Sequence, residues 1–401
     1  MSRLLEHHTL ELFERAGIPV PPYHVVAGAD QAAEAARELG GSVVLKALIP
    51  VGGRGKAGAI QRARSPEEAR TIAKALLGST LLHFPVEQLL VSAPVEIERE
   101  IFVAITFDSM SRGPLVLFSA QGGIDVEEIL AREPGQLIQR TVSISQGLQP
   151  FAAREIAEAA GLRGRTMVET GDVLARLWRL FCELDAQTIE VNPLAVTTQG
   201  RAIAPSGVIV FDDQAAFRHP ELEGIADPEL TNGWRPLTPL ERRMREIDRT
   251  DAGSAIRFNE LEGGDIAVMV TGGGAGLLAF DTILHCGGRP ATIFDITPGR
   301  VEEKMYLATR AILSQPGLKG LIAGGNISNF IPIDVKVRGV MRALEELGID
   351  PQAFPVVFRF DGPANDTAKA LAAELPGIEY LDGAFSIEDA VRRIVERTRG
   401  L

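Results

Sequence analysis

The second half of the chain constrains the fold most. Short apolar runs at 266–271, 290–295, 320–323 and 356–360 alternate with helical periodicity at 275–285, 301–314 and 337–347. Strands that are apolar on both faces and recur with a helix between them pair in parallel, because a parallel connection needs a crossover of a dozen residues or so. The alternation therefore predicts an α/β domain built on a parallel, doubly wound sheet. Ligands of such sheets sit beyond the strand C-termini. Two glycine turns, Gly272-Gly273-Gly274 and Gly324-Gly325, fall at that level.

The first half reads as a separate α+β domain with an antiparallel component. Helical spacing at 4–13 stops at Gly17. Further helices are predicted at 31–39 behind Asp30, at 66–77 after Ser65-Pro66-Glu67-Glu68, and at 152–160 and 166–184. Strands are predicted at 43–48, 87–92, 100–107, 115–119 and 188–191, with a strand pair around Thr198-Gln199-Gly200. From 221 to about 253 the chain is polar, charged and proline-containing, which reads as a weakly helical connector. The expected domains are 1–235 and 255–401.

At 401 residues the chain is long enough for two or three well-filled cores. Its 41 basic and 53 acidic residues give a net charge of −12, which disfavours nucleic acid as a partner and requires anionic ligands to be attracted locally. The start, Met1-Ser2-Arg3-Leu4-Leu5-Glu6-His7-His8, is too polar for a signal peptide. No run approaches the eighteen or so apolar residues of a membrane span, so a cytoplasmic protein with no membrane partner is expected. The two cysteines, Cys182 and Cys286, read as buried thiols.

Chemistry concentrates after the run Val43-Val44-Leu45-Lys46. There Gly52-Gly53-Arg54-Gly55-Lys56-Ala57-Gly58 combines glycines, whose backbone can bring N–H groups close to an anion, with cations whose hydrogen bonds phosphate accepts. It reads as a polyphosphate clamp or, alternatively, as a solvated glycine turn. It is not a P-loop, because no Ser or Thr follows Lys56. A second feature, Glu190-Val191-Asn192-Pro193-Leu194, puts a carboxylate and an amide on one face of a strand, where they suit a hard cation or a phosphoryl group.

With these motifs the sequence resembles, over nearly its whole length, the β subunits of ADP-forming succinyl-CoA synthetases and the wider acyl-CoA synthetases with an ATP-grasp domain. The anchors are Lys46, the 52–58 loop, Gln121-Gly122-Gly123-Ile124-Asp125, Glu190–Leu194 and Phe217-Arg218-His219-Pro220. The loops Met269–Gly276 and Gly324-Gly325-Asn326-Ile327-Ser328-Asn329-Phe330 are similar to those of the citryl-CoA synthetase and ATP-citrate lyase branch.

The resemblance implies an α+β ATP-grasp domain followed by a flavodoxin-like, parallel doubly wound CoA-ligase domain. It also implies a reaction of acid, CoA and ATP or GTP through an acyl phosphate and a phosphohistidine. It assigns Lys46, Gly53, Arg54, Gly55 and Glu100 to the nucleotide, Glu190 to orienting the phosphohistidine, and Asn192 to Mg²⁺. Gly273, Gly274, Gly325, Asn329, Phe330 and Arg359 are assigned to the acid. None of the six histidines lies in a phosphohistidine loop, so an α-type partner that carries it and binds most of the CoA is implied, in a hetero-oligomer.

Two positions depart from the family pattern. Ser206 stands where the family has its second Mg²⁺ ligand, an Asp, and Ser92 where many relatives have a Glu near the adenine. These departures keep open a non-catalytic subunit that retains only the ATP-grasp shape. A dinucleotide site at Gly272–Gly276 lacks G-x-G-x-x-G spacing. His219 with Asp212 and Asp213 reads as a solvated turn or as a replacement metal cluster. At 358–360, Phe-Arg-Phe offers one arginine where citrate-type relatives place two, which predicts an acid with at most two carboxylates, or a carboxylate with an apolar tail beside Phe330, Ile331 and Phe360.

Overall fold

Two antiparallel sheets organise the N-terminal half. The computed structural model describes residues 2–123, 134–222, 224–225 and 235–399, the side chains of Pro134 and Gln214 excepted, and the chain divides between Pro236 and Leu237 into two compact units. β1 (Ser2–Arg3) and α1 (Glu6–Arg15) open the first unit. β2 (Tyr23–Val26), α2 (Ala29–Glu38), β3 (Val43–Ala47), β4 (Ile60–Ala63), α3 (Pro66–Leu76) and β7 (Leu89–Ser92) form a small layer, with sheet order β2-β7-β3-β4. A short hairpin, β5 (Thr80–Leu81) and β6 (Phe84–Pro85), precedes β7. The expected start of α3 is present: Pro66 occupies its first turn and the Ser65 side chain accepts from Glu68 N–H.

Alternation along β3 decides what this layer presents. Val43, Leu45 and Ala47 share one core with alanines of α2 and α3. Small residues let those helices lie close over the sheet. Lys46, between them in the alternation, therefore points to the opposite face.

The larger sheet has the order β1-β13-β11-β8-β9-β10, with β12 on β11. Its members are β8 (Arg99–Asp108), β9 (Gly113–Ser119), β10 (Ile138–Thr141), β11 (Ala186–Val196), β12 (Ala202–Ile203) and β13 (Val208–Phe211). Ile101, Val103 and Ile105 of β8 join a core with α4 (Pro150–Ala159) and with Leu174, Leu177, Trp178 and Phe181 of α5 (Gly164–Glu183). Leu10 and Phe13 of α1 enter the same core. β11 runs through Asn192-Pro193 rather than ending there, with an irregularity against β8 between Val191 and Leu194. Such a bulge re-aims the side chains at its centre.

The second unit is the parallel sheet that the sequence predicts. Its elements are α6 (Pro239–Asp248), β14 (Ile256–Glu260), β15 (Ile266–Thr271), α7 (Gly273–His285), β16 (Thr292–Ile296), α8 (Glu302–Leu313), β17 (Gly320–Ile327), α9 (Ile333–Glu346), β18 (Val356–Asp361), α10 (Asn365–Ala372), β19 (Ile378–Leu381) and α11 (Ile387–Thr398). The parallel order is β15-β17-β18-β19. β16 lies on the free side of β15, tied by Ala291 N–H to Ile266 O at 2.7 Å and Val268 N–H to Thr292 Oγ1 at 2.9 Å. The order 2-1-3-4-5 that results is that of flavodoxin, with antiparallel β14 added outside β16.

Every residue of β15 is buried. Ile266, Val268 and Val270 face a core that includes α7 and α11 residues, whereas Ala267 and Met269 face a core that includes α8 and α9 residues. Each Val or Ile so buried contributes about 1.5–3 kcal/mol.

Three sequence expectations are corrected. The stretch 237–253 is not a connector but part of the second unit. It holds α6, closed by a Thr238–Glu241 capping box, with Leu240, Met244 and Ile247 buried at helical spacing. Cys182 is exposed on α5 rather than buried, and Cys286 is half-buried. The cluster of His219 with Asp212 and Asp213 does not form, and His219 is 8 % exposed rather than on a solvated turn. No helix among the described residues is long and apolar enough to cross a membrane. Ile124, Asp125 and Trp234 lie outside the described residues.

Candidate functional site

The first unit brings its cations together on one carboxylate. Lys46 Nζ donates to Glu6 Oε1 at 2.7 Å and to Pro205 O at 2.7 Å. Arg54 Nη2 stands 2.5 Å from Glu6 Oε2. Glu6 opens α1 and is buried. Burial raises its pKa, but Lys46 and Arg54 outweigh that and hold the carboxyl below its usual range. Arg3, one strand earlier, is a third cation here. Its guanidinium lies about 4 Å from where a side chain on Gly52 would begin, at 3.9 Å from Nη1. Burial and then the nearby Arg54 charge lower the Arg3 pKa, with Glu190 and Glu6 opposing. The loop between β3 and β4 folds on itself, with Ala59 N–H donating to Arg54 O at 2.9 Å and Gly53 at φ +70°. One buried and two half-buried cations beside a glycine backbone can bind a polyanion.

Glu100, Gly123 and Asn192 form the adjoining group. Gly123 N–H donates to Asn192 Oδ1 at 2.7 Å, and a Cβ on Gly123 would fall 1.9 Å from Glu100 Oε2. The left-handed φ of +75° favours glycine here, and a side chain would displace the Glu100 carboxylate. Glu190 lies two residues before Asn192 on β11 and pairs with Ala104 and Val208. Ser206 follows the carbonyl that Lys46 holds. Asn192 and Ser206 offer neutral oxygens, one already engaged by Gly123. Among the described residues no group of three or more His, Cys, Asp or Glu side chains converges on a point. This donor set does not make a protein-held magnesium site. Ser92 is buried within β7, opposite Tyr23 and Val44.

The second unit carries a cavity of about 280 Å³ at the C-terminal ends of β15 and β17, the switch point of the strand order. Asn329 and Phe330 line it, as do Thr271, Asp295 and Lys336. Phe330 is 84 % exposed. Gly325 is confined between strands: a Cβ there would lie 2.6 Å from Thr271 Oγ1. Gly273 and Gly274 start α7 with nothing within 4 Å of an added Cβ, so open space lies beside their backbone. Arg359 is not among the lining residues. Its buried guanidinium donates from Nη1 to Gly325 O at 3.0 Å and from Nε to Phe385 O at 3.1 Å, tying β17 to the segment before α11.

The sequence reading missed Arg3, Glu6, Thr271, Asp295 and Lys336. A signal existed for two of them. Glu6 lies on the stripe Glu6-Leu10-Phe13 and Lys336 on the stripe Ile333-Lys336-Val340, each a charge on the buried face of an amphipathic helix. His219 has a structural role: Nε2 is 2.7 Å from Asp185 Oδ2 and Nδ1 3.0 Å from Glu221 Oε1. Burial opposes its protonation, but these two carboxylates outweigh that and raise its pKa.

The chain is similar to known proteins along its whole length. A family model described as an ATP-grasp domain matches residues 3–196, and one described as ATP citrate lyase citrate-binding matches residues 235–363. The β subunit of the ADP-forming succinate–CoA ligase of Rubrobacter xylanophilus is 34% identical over 400 residues, covering 99% of this chain and 98% of that one. The β subunit of the GDP-forming enzyme of Thermus thermophilus is 35% identical over 381 residues, covering 94% and 95%. The structure of ATP citrate lyase from Methanothrix soehngenii in complex with citrate and coenzyme A shares the fold, with a TM-score of 0.79 at 20% identity over 99% of this chain and 100% of that one. Together with the ATP-grasp unit and the flavodoxin-like unit, these matches show that the chain belongs to the family of succinate–CoA ligase β subunits, the nucleotide-binding chains of acid–CoA ligases.

Proposed function

We propose that this chain binds the nucleotide for a heteromeric ligase that joins a small carboxylic acid to CoA, consuming ATP or GTP through an acyl phosphate. An α-type partner carries the phosphohistidine and binds most of the CoA. The single observation that carries this reading is the buried Lys46 and half-buried Arg54 paired to Glu6 beside the glycine loop, with half-buried Arg3 within electrostatic reach of the same carboxylate. Lys46, Arg54 and the loop backbone at Gly53 and Gly55 hold the triphosphate, and Glu100 contributes to the nucleotide site beside Gly123. Phosphate charge is met by the chain's own cations. Glu190 orients the partner's imidazole during phosphoryl transfer. The acid enters the second unit at the loop bearing Asn329 and Phe330, near Gly273 and Gly274, with Gly325 and Arg359 supporting the loop. One arginine at this level, already tied to two carbonyls, favours four-carbon dicarboxylates over citrate.

The test is co-expression with the α-type chain and an assay of CoA-dependent ADP or GDP release over succinate, malate and citrate. Release with a four-carbon acid exceeding that with citrate is the expected result. The neutral oxygens of Asn192 and Ser206 favour one rival, a subunit that keeps the ATP-grasp shape without turnover. No nucleotide binding by the full chain at millimolar concentration would favour that rival.

A further inference from the structure

The second unit leaves one cation poorly satisfied. Lys336 lies on the inward face of α9 and is 7 % exposed. Its ammonium has three donors. Among the described residues it makes one hydrogen bond, a long one of 3.3 Å to Thr271 Oγ1, and has no carboxylate at ion-pair distance. Thr271 Oγ1 accepts this bond from Lys336 while its own proton goes to Gly324 O at 3.1 Å. Asp295 acts on Lys336 from farther off, and its Oδ1 is committed to Gly272 N–H at 2.7 Å. Burial lowers the Lys336 pKa, and Asp295 opposes that shift without cancelling it. An ammonium without a counter-ion is among the costliest groups to bury, so a protein that keeps one beside a cavity has a use for it.

Lys336 lines the cavity of about 280 Å³ at the switch point of the sheet. The first turn of α7, a helix of 13 residues, opens nearby with unobstructed space at Gly273 and Gly274. Its first N–H groups have no partner within the helix. An ammonium and a helix start that converge on a polar cavity suit a small anion. Asp295 on the wall disfavours a doubly charged phosphate and leaves room for a singly charged carboxylate.

We propose that Lys336 is the residue that holds a carboxylate of the acid substrate, with the backbone N–H groups at the start of α7 as its second contact. This rests on the acid–CoA ligase reading and assigns to Lys336 the cationic role that Arg359, fixed on Gly325 and Phe385, does not fill.

The test uses the full chain assembled with its α-type partner and the variants Lys336→Met and Lys336→Arg. Losing a charged hydrogen bond to the acid should raise the KM for succinate or malate at least about tenfold in Lys336→Met. The KM for ATP should stay within about twofold, and Lys336→Arg should recover part of the loss. The Tm of Lys336→Met should be equal or higher, because an apolar side chain replaces a buried charge. An unchanged acid KM would overturn the proposal, as would a loss confined to inorganic phosphate in the reverse reaction. If the assembled wild type shows no acid-dependent release of ADP or GDP, the ligase reading fails on its own. Calorimetry of succinate on the full chain then decides Lys336: binding lost in Lys336→Met supports the assignment, and binding equal in both proteins overturns it.

Discussion

Lys46 Nζ donates to Glu6 Oε1 at 2.7 Å although 40 residues of chain separate them. The other oxygen of that carboxylate holds Arg54 at 2.5 Å. Glu6 thus keeps two cations of like charge side by side, one buried and one half-buried. For the proposed nucleotide site, this relationship means that the cations need not be gathered when the ligand arrives.

Lys46→Ala and Arg54→Ala should each weaken ATP binding by about tenfold or more, because each removes charge-assisted hydrogen bonds to phosphate. Isothermal calorimetry on the full chain measures this, and wild-type affinity in either variant would refute the clamp. Lys46→Ala should also cost about 3 kcal/mol of stability in urea unfolding, since it leaves half of a buried ion pair behind.

Glu6→Gln separates structure from ligand. Without the carboxylate, Lys46 and Arg54 repel each other, so the ligand-free Tm should fall. Bound nucleotide supplies the missing negative charge, and its stabilising increment should exceed that of the wild type. A thermal shift measured with and without ATP reads both effects. An equal increment in the two proteins would show that phosphates do not approach Glu6's partners.

Glu190→Gln should slow phosphoryl exchange with the partner's histidine far more than it alters ATP affinity. A group that orients or stabilises an imidazole acts in the transfer step, where such groups contribute about 10²–10⁴-fold. Radiolabel transfer from ATP to the α-type chain is the measurement, and a wild-type rate would remove Glu190 from that role.

Ser206→Asp should tighten magnesium-dependent nucleotide binding, because it adds a charged oxygen where Asn192 and Ser206 supply neutral ones. Titration of ATP at several magnesium concentrations tests it. An unchanged magnesium dependence would show that position 206 does not face the metal-bearing phosphates.

The two carboxylate networks predict opposite pH responses. Glu6 has its folded pKa held below 4.5, so its contribution is complete above that value and is lost as pH falls below it. His219 has its folded pKa raised above 6.5, so its contribution is complete below 6.5 and is lost as pH rises through the raised value. Tm measured from acid to mildly alkaline pH should fall at both ends, and His219→Gln should remove only the loss on the alkaline side.

Apolar patterning determined the parallel sheet, since β15 is buried on both faces and no polar residue interrupts it before Thr271. Capping chemistry determined the start of α3. The glycine and cation loop at 52–58 is legible as a candidate phosphate site from its residue types alone. Local rules failed where polarity misled them: the charged stretch 239–248 is a packed helix because three apolar residues at the right spacing outweigh its surface charges. Only the tertiary structure decided which charges meet. Glu6 comes to Lys46 because β3 alternates its side chains between two layers, and Arg359 turns to backbone carbonyls while Lys336, from the preceding helix α9, reaches the cavity. A sequence records the period of burial along each element. Pairing between buried charges depends on how distant elements pack, and no local pattern encodes that.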